Sequence, residues 1–100
     1  MSTFGKRLKS ARLVANLSQE QLGVRAGIEE ASASARMNRY EKGTRAPAVE
    51  IVERIAIVLD VPVSYLFAEN EGEATLLLAF HRMSEAEREQ LLRSVLADDR

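Results

Sequence analysis

The sequence predicts an all-α protein in which a five-helix unit is followed by a two-helix extension at the C-terminus. Apolar residues recur at three- and four-residue spacing along the chain, which is the period of helices packed on one face. Glycine, asparagine and serine stand where that pattern breaks, as is typical of helix ends. Cysteine is absent, so disulfide scaffolds and cysteine-ligated zinc modules are excluded.

The first two helices are predicted to lie on either side of a very short connection. Apolar positions from Phe4 to Ala15 mark the first helix, and Asn16 ends it because asparagine enters the left-handed conformation at low cost. Ser18 and Gln21 then have the spacing of a capping box, in which each side chain bonds the backbone N–H of the other residue. The second helix therefore begins almost directly after the first.

Three further helices complete the five-helix unit. The third helix is predicted from Ser32 to Glu41, and Gly43 is the residue that terminates it. The fourth helix is predicted from Ala48 to Leu59 and the fifth over residues 62–67. In the fifth helix, Val63, Leu66 and Phe67 are expected to fill the core. The predicted core residues of the whole unit are Phe4, Leu8, Leu22, Met37, Val52, Ile55, Leu59, Leu66 and Phe67.

The remaining residues are predicted to form a helical tail. Residues 68–73 are polar and contain Gly72, which favours a linker between a domain at 1–67 and a tail at 74–100. A sixth helix is expected from Ala74 to Arg82. A seventh begins at a second capping box, from Ser84 to Glu87.

Charge is divided unevenly along the chain. Residues 1–47 carry a net charge of +5 and residues 48–100 a net charge of −6. A basic half suggests a polyanion as partner, whereas the alternative is a dipolar surface without function.

The residue types needed for catalysis or metal binding are sparse. His81 is the one histidine, no glycine-rich phosphate loop is present, and acidic neighbours such as Asp98 and Asp99 have the pattern of solvated charge. No apolar run reaches the length of a membrane span, and the N-terminus lacks the apolar stretch of a secretory signal. We therefore expect no enzyme activity, no cofactor, no metal and no membrane contact, and a cytoplasmic location.

Residues 4–67 resemble the lambda-repressor-like helix-turn-helix family, of the Cro/cI or XRE type. The matching segments are Gly5-Lys6-Arg7-Leu8 with Arg12, Leu17 to Leu22, Ala26-Gly27-Ile28, Arg39 to Gly43, Arg45-Ala46-Pro47, Ile55-Ala56, Leu59 to Pro62 and Leu66-Phe67. The resemblance implies that the helix from Ser32 to Glu41 lies in the major groove of duplex DNA. One departure is an insertion of about four residues, 28–31, which lengthens the turn or adds a turn of helix.

The resemblance also implies which residues contact DNA. Ser34, Ala35 and Arg39 match base-facing positions, and Arg39 has the fork that bonds guanine O6 and N7 together. Ala33 and Arg36 match positions beside the DNA backbone.

Other positions match residues outside the third helix. Ser18 and Gln19 match a phosphate contact at the start of the second helix. Lys42, Thr44 and Arg45 match a loop that contacts the opposite edge of the site. A separate pair, Arg12 and Glu41, matches an ion pair that ties the first helix to the third.

The family binds palindromic sites as dimers, and the tail supplies a candidate dimer surface. Its apolar residues are Leu76, Leu77, Phe80, Leu91, Leu92, Val95 and Leu96. The alternative is that these residues pack onto the five-helix unit. The sequence thus predicts a homodimeric transcriptional regulator, most simply a repressor. The second hypothesis is a protein-interaction module, such as an antitoxin whose tail binds a partner protein.

Overall fold

The computed structural model describes residues 2–97, and within them the secondary structure is entirely helical. The helices are α1 (Thr3–Val14), α2 (Gln19–Arg25), α3 (Glu30–Lys42), α4 (Val49–Leu59), α5 (Val63–Leu66), α6 (Glu71–Arg82) and α7 (Glu85–Ala97). The prediction of an all-α fold with a two-helix C-terminal extension is confirmed.

Helix ends follow the local sequence signals closely. Asn16 has a positive φ of 59°, which is the left-handed conformation predicted for it. Gly43 ends α3 as predicted, and its φ of 78° is left-handed as well. The Ser18–Gln21 capping box forms with both hydrogen bonds in place. In the second box, the Ser84 N–H donates to Glu87 Oε1 over 2.8 Å, and the Glu87 N–H donates to the Ser84 hydroxyl over 3.2 Å. The bonds with Ser84 hold the pKa of the Glu87 carboxyl below its ordinary value.

The core lies where α1 to α5 meet. The largest fully buried side chains are Tyr40, Leu8, Leu22, Met37, Ile55 and Leu66. Most of the predicted core is confirmed, but Phe67 and Val63 are 55% and 39% exposed. The reason is the shortness of α5: its single turn directs Tyr65 and Leu66 inward, while Phe67 lies at the C-cap and rests against the Phe4 ring, with centroids 5.3 Å apart.

The connection to the tail is shorter than predicted. Ala68 is buried, and α6 begins at Glu71 rather than Ala74, because the Asn70 side chain caps it by accepting from the Glu73 N–H. Along α6, Ala74 is buried and Leu77 and Leu78 pack partly against the core.

The last helix is different, because α7 contains no buried residue. The described chain is therefore elongated, 54 × 24 × 22 Å. The alternative prediction, in which the tail packs onto the five-helix unit, therefore holds for one face of α6. It does not hold for α7, which is left uncovered.

Gly5 allows α1 to approach the end of α3 very closely. A Cβ at Gly5 would lie 2.1 Å from the carbonyl oxygen of Glu41, which is backbone and cannot rotate away. Gly5→Ala is expected to lower the free energy of unfolding in urea by about 3 kcal/mol, at the upper end of typical overpacking. The matched control is Gly72→Ala at the exposed start of α6, which we expect to change stability by less than about 1 kcal/mol. Equal effects of the two changes would contradict the close approach.

Candidate nucleic-acid interface

The helix-turn-helix consists of α2 and α3, which pack against each other through small residues. A Cβ at Gly23 would lie 2.8 Å from the Cβ of Ala33, so glycine permits this contact. Ala33 is fully buried by it. The predicted contact of Ala33 with the DNA backbone is therefore wrong, since its side chain is covered by α2.

Two of the four inserted residues, Glu30 and Ala31, become helix, whereas Ile28 and Glu29 remain in the turn. The third helix begins at Glu30, two residues before the predicted Ser32, and Glu29 precedes it without a side-chain cap. Ile28 is buried and anchors the turn, whereas Glu29 and Glu30 are exposed. The insertion thus lengthens the N-terminal end of α3.

A buried polar network joins the first three helices. Arg12 donates through Nε and Nη2 to the two carboxylate oxygens of Glu41, which forms the expected ion pair. Its Nη1 donates to the Leu17 carbonyl over 2.9 Å. Gln19 Nε2 donates to Glu41 Oε1 over 3.1 Å and to Asn38 Oδ1 over 3.3 Å. Because both members of the ion pair are buried, these bonds satisfy charges that water cannot reach.

This network changes the expectation for Gln19. A primary amide has two N–H donors, and both of them point at acceptors within the protein. The side chain retains only an acceptor oxygen, which cannot bond a phosphate. A phosphate contact by Gln19 would therefore use its backbone N–H, which lies in the first turn of α2 and lacks an intrahelical partner.

Asn38 is a member of this network that the sequence reasoning missed. It lies one turn before Glu41 on α3, and its side chain is half-buried against Gln19. The available signal was a polar residue three positions before a buried carboxylate, which places both on one helix face.

The outer face of α3 carries four of the ten predicted DNA-contacting residues. Ser34, Ala35, Arg39 and Lys42 are all exposed there. Arg36 is half-buried instead: its Nη2 donates to the Tyr40 hydroxyl over 2.9 Å, and its guanidinium lies 5.9 Å from the centre of that ring.

The loop after α3 adds two more of the predicted residues. Thr44 bonds the Arg39 carbonyl through its N–H, over 3.1 Å, and through its hydroxyl, over 3.4 Å. These bonds tie the loop to the end of α3. Arg45 follows in the same loop and is exposed. The exposed cations Arg39, Lys42 and Arg45 thus lie at one end of the helix, with Glu29 and Glu30 at the other.

A helix-turn-helix with an exposed, cationic second helix defines a DNA-binding module of transcriptional regulators. Residues 8–66 match the model of the Helix-turn-helix family. The chain belongs to this family, in its lambda-repressor-like form.

Individual relatives agree with this assignment. The chain is 33% identical over 69 residues to an uncharacterized HTH-type transcriptional regulator of Sinorhizobium medicae, covering 69% of this chain and 47% of the relative. It is 31% identical over 68 residues to the cryptic phage CTXphi transcriptional repressor RstR of Vibrio cholerae, covering 68% of this chain and 58% of that protein. The chain thus spans about half the length of the curated relatives it matches.

A solved structure covers the tail as well. The crystal structure of the transcriptional regulator BswR is 40% identical in sequence, with a TM-score of 0.88 over 94% of this chain and 96% of that one. The helical extension is therefore shared with a solved regulator. Within residues 2–97, the structure contains no helix that combines the length and apolarity needed to cross a bilayer.

Proposed function

We propose that this DNA-binding regulator is a repressor that binds a palindromic operator as a homodimer and blocks transcription by occupying it. The observation that carries the proposal is the exposed face of α3, held in place by the buried Arg12–Glu41 pair and the half-buried Gln19 and Asn38. The similar protein RstR is named as a transcriptional repressor, which supports the same role here. Because operators are chromosomal or phage DNA, the protein acts in the bacterial cytoplasm.

Base reading falls mainly to Arg39. Its side chain is exposed on α3, and its planar fork suits the O6 and N7 atoms of one guanine. Ser34 and Ala35 lie one turn earlier and are small, which lets the helix approach the base edges. The methyl group of Ala35 could make an apolar contact with the methyl group of a thymine.

Phosphate contacts then come from both sides of the helix. On one side are Ser18 and the backbone N–H of Gln19, at the start of α2. On the other side are Lys42, Thr44 and Arg45. Contacts of this kind fix the position of the module on DNA without reading sequence.

The second copy of the chain is proposed to bind the tail. Leu92, Val95 and Leu96 lie on one face of α7 by their spacing, and all three are at least 47% exposed. Leu91 is half-buried beside them, and Leu76 of α6 is exposed as well. The other tail residues, Leu77 and Phe80, are half-buried on the unit side, so they contribute less to a dimer than the sequence suggested.

A palindromic site gives the reason for choosing a second copy as the occupant. One helix-turn-helix reads half a site, and two copies related by a two-fold axis reach half-sites about one helical turn apart, ~34 Å. Each copy would then present the same apolar face of α7 to its partner.

The separation of base reading from phosphate binding can be tested with two arginine variants. Arg39→Ala is expected to weaken binding to the operator by about 1–3 kcal/mol and to relax the base preference at one position of each half-site. Arg45→Ala is expected to weaken binding to all duplexes similarly and to reduce the salt dependence of the binding constant by about one ion per subunit. The measurement is site selection from a random duplex pool, followed by titrations of the enriched site at several salt concentrations.

Either of two results would contradict the proposed interface. An unchanged base preference in Arg39→Ala would contradict the proposal that α3 is the reading helix. If the unaltered protein enriched no inverted repeat, the proposal of a homodimeric repressor would be contradicted.

A further inference from the structure

We infer that α6 and α7 form a rigid spacer, which Arg7 and Asp60 hold to the DNA-binding unit and Arg88 fixes at its corner, and that this spacer sets the separation of the two half-sites. The inference rests on the proposed homodimer and names residues that select operator spacing. Arg7 is the principal positioning residue. None of these residues needs to touch DNA for this role.

Arg7 holds the start of α6. Its Nε donates to the carbonyl of Ala68 over 2.8 Å, and its Nη1 pairs with Glu71 Oε1, also over 2.8 Å. The guanidinium lies 5.9 Å from the centre of the Tyr65 ring. The Arg7 side chain is only 11% exposed, and the Ala68 carbonyl belongs to a buried residue. The bond to Ala68 is therefore charge-assisted and shielded from water, whereas the pair with the exposed Glu71 is screened.

Asp60 holds the other end of α6. This residue ends α4 in the left-handed conformation, with a φ of 55°. His81 Nε2 lies 3.1 Å from its Oδ1, and Arg82 Nη2 donates to its carbonyl oxygen over 3.2 Å. The two ends of α6 are thus tied to different parts of the five-helix unit, by a largely buried contact at Arg7 and by exposed contacts at Asp60, and together these oppose a rotation about either end.

Arg88 fixes the corner between α6 and α7. Its Nε donates to the Phe80 carbonyl over 2.9 Å and its Nη2 to the His81 carbonyl over 2.6 Å. Its guanidinium also lies 5.2 Å from the centre of the Phe80 ring. Two of the last carbonyls of α6 are therefore bound by a side chain of α7, and the Phe80 carbonyl also accepts from the Met83 N–H.

The length of the tail converts small rotations into large shifts. At 1.5 Å per residue, α6 and α7 are each about 18–20 Å long. A rotation of about 10° at the start of α6 displaces a point some 30 Å away by roughly 5 Å. One base pair rises by about 3.4 Å, so this displacement corresponds to one or two base pairs of operator spacing. Clamps at α6 and at the corner are needed to keep the spacing within one base pair.

The test starts from the half-site that the full-length protein selects. Two inverted copies of this half-site are placed in a duplex pool, separated by spacers of every length up to one helical turn. The unaltered protein is expected to enrich a single spacing. Arg7→Ala is expected to spread enrichment over spacings one or two base pairs away, while the half-site sequence stays the same. Lys9→Ala is the matched control, because it removes an exposed cation from the same helix and should keep the single spacing.

A second variant covers the case in which Arg7→Ala fails to fold. Arg88→Ala loosens the corner without altering the five-helix unit, and Arg93→Ala on the exposed face of α7 is its control. The expected result is again a broadened spacing for Arg88→Ala alone.

Two outcomes would overturn the inference, and they differ in kind. A single unchanged spacing in both Arg7→Ala and Arg88→Ala would show that the clamps do not set the spacing, with the homodimer intact. If the unaltered protein showed no spacing preference, the proposed homodimer itself would be contradicted. Partial return of the single spacing in Arg7→Lys, which keeps the charge but not the planar fork, would support the bond to Ala68.

Discussion

Replacement of Glu41 by alanine is expected to lower the free energy of unfolding by about 3–5 kcal/mol. Glu41 is 2% exposed and accepts hydrogen bonds from Arg12 and Gln19. Its removal leaves the Arg12 guanidinium buried with only the Leu17 carbonyl as a partner. For a chain of this size the loss corresponds to a fall in Tm of more than about 10 °C, measurable by calorimetry together with urea titration.

The control for this change is Glu53→Ala on α4. Glu53 is exposed, so its removal is expected to change stability by less than about 0.5 kcal/mol. The double variant Arg12→Met, Glu41→Leu removes both buried charges and is expected to recover part of the loss. If Glu41→Ala alone cost less than about 1 kcal/mol, the network could not be what holds α3 against α1 and α2.

Disruption of the exposed face of α7 is expected to have the largest effect on DNA binding. Leu92→Asp combined with Leu96→Asp places two charges on the proposed dimer surface, where residues are exposed in a single chain. The variant should remain folded, sediment as a monomer and bind the palindromic operator roughly 100-fold more weakly or worse, because the two half-sites are no longer bound by one linked particle. Its affinity for an isolated half-site should stay unchanged.

The matched control is Val14→Asp, at an exposed apolar residue of α1 outside the tail. It should sediment and bind the palindrome as the unaltered protein does. If the unaltered protein is itself a monomer at all concentrations, and a second polypeptide is needed to cover α7, the tail belongs to a protein-interaction module. The same sedimentation experiment therefore separates the two functions that the sequence suggested.

Features that depend on neighbouring residues were predicted well from the sequence. The left-handed ends at Asn16 and Gly43 and the capping boxes at Ser18 and Ser84 are all present, because each requires only a few consecutive residues. The Arg12–Glu41 pair was also anticipated, although only through resemblance to a family. Nothing in the spacing of these two residues would indicate that they meet.

Features that depend on packing between distant residues were not predictable. Ala33 appeared on a DNA-facing helix, but the approach of Gly23 on α2 buries it. Gln19 appeared free to bind phosphate, but Asn38 and Glu41 take both of its donors. Phe67 appeared to belong to the core, but α5 is too short to turn it inward.

The sequence by itself determined the all-α class and the helix ends at Asn16 and Gly43, since periodicity and caps act within one turn of the chain. The proposal of α3 as the reading helix came from the resemblance to a family. Only the tertiary structure decided which α3 residues remain exposed, how Arg7 and Asp60 hold the tail, and that α7 stays uncovered. These depend on contacts between residues as many as 64 positions apart, such as Arg7 and Glu71. Such contacts form only when the whole core has packed, and no local pattern encodes them.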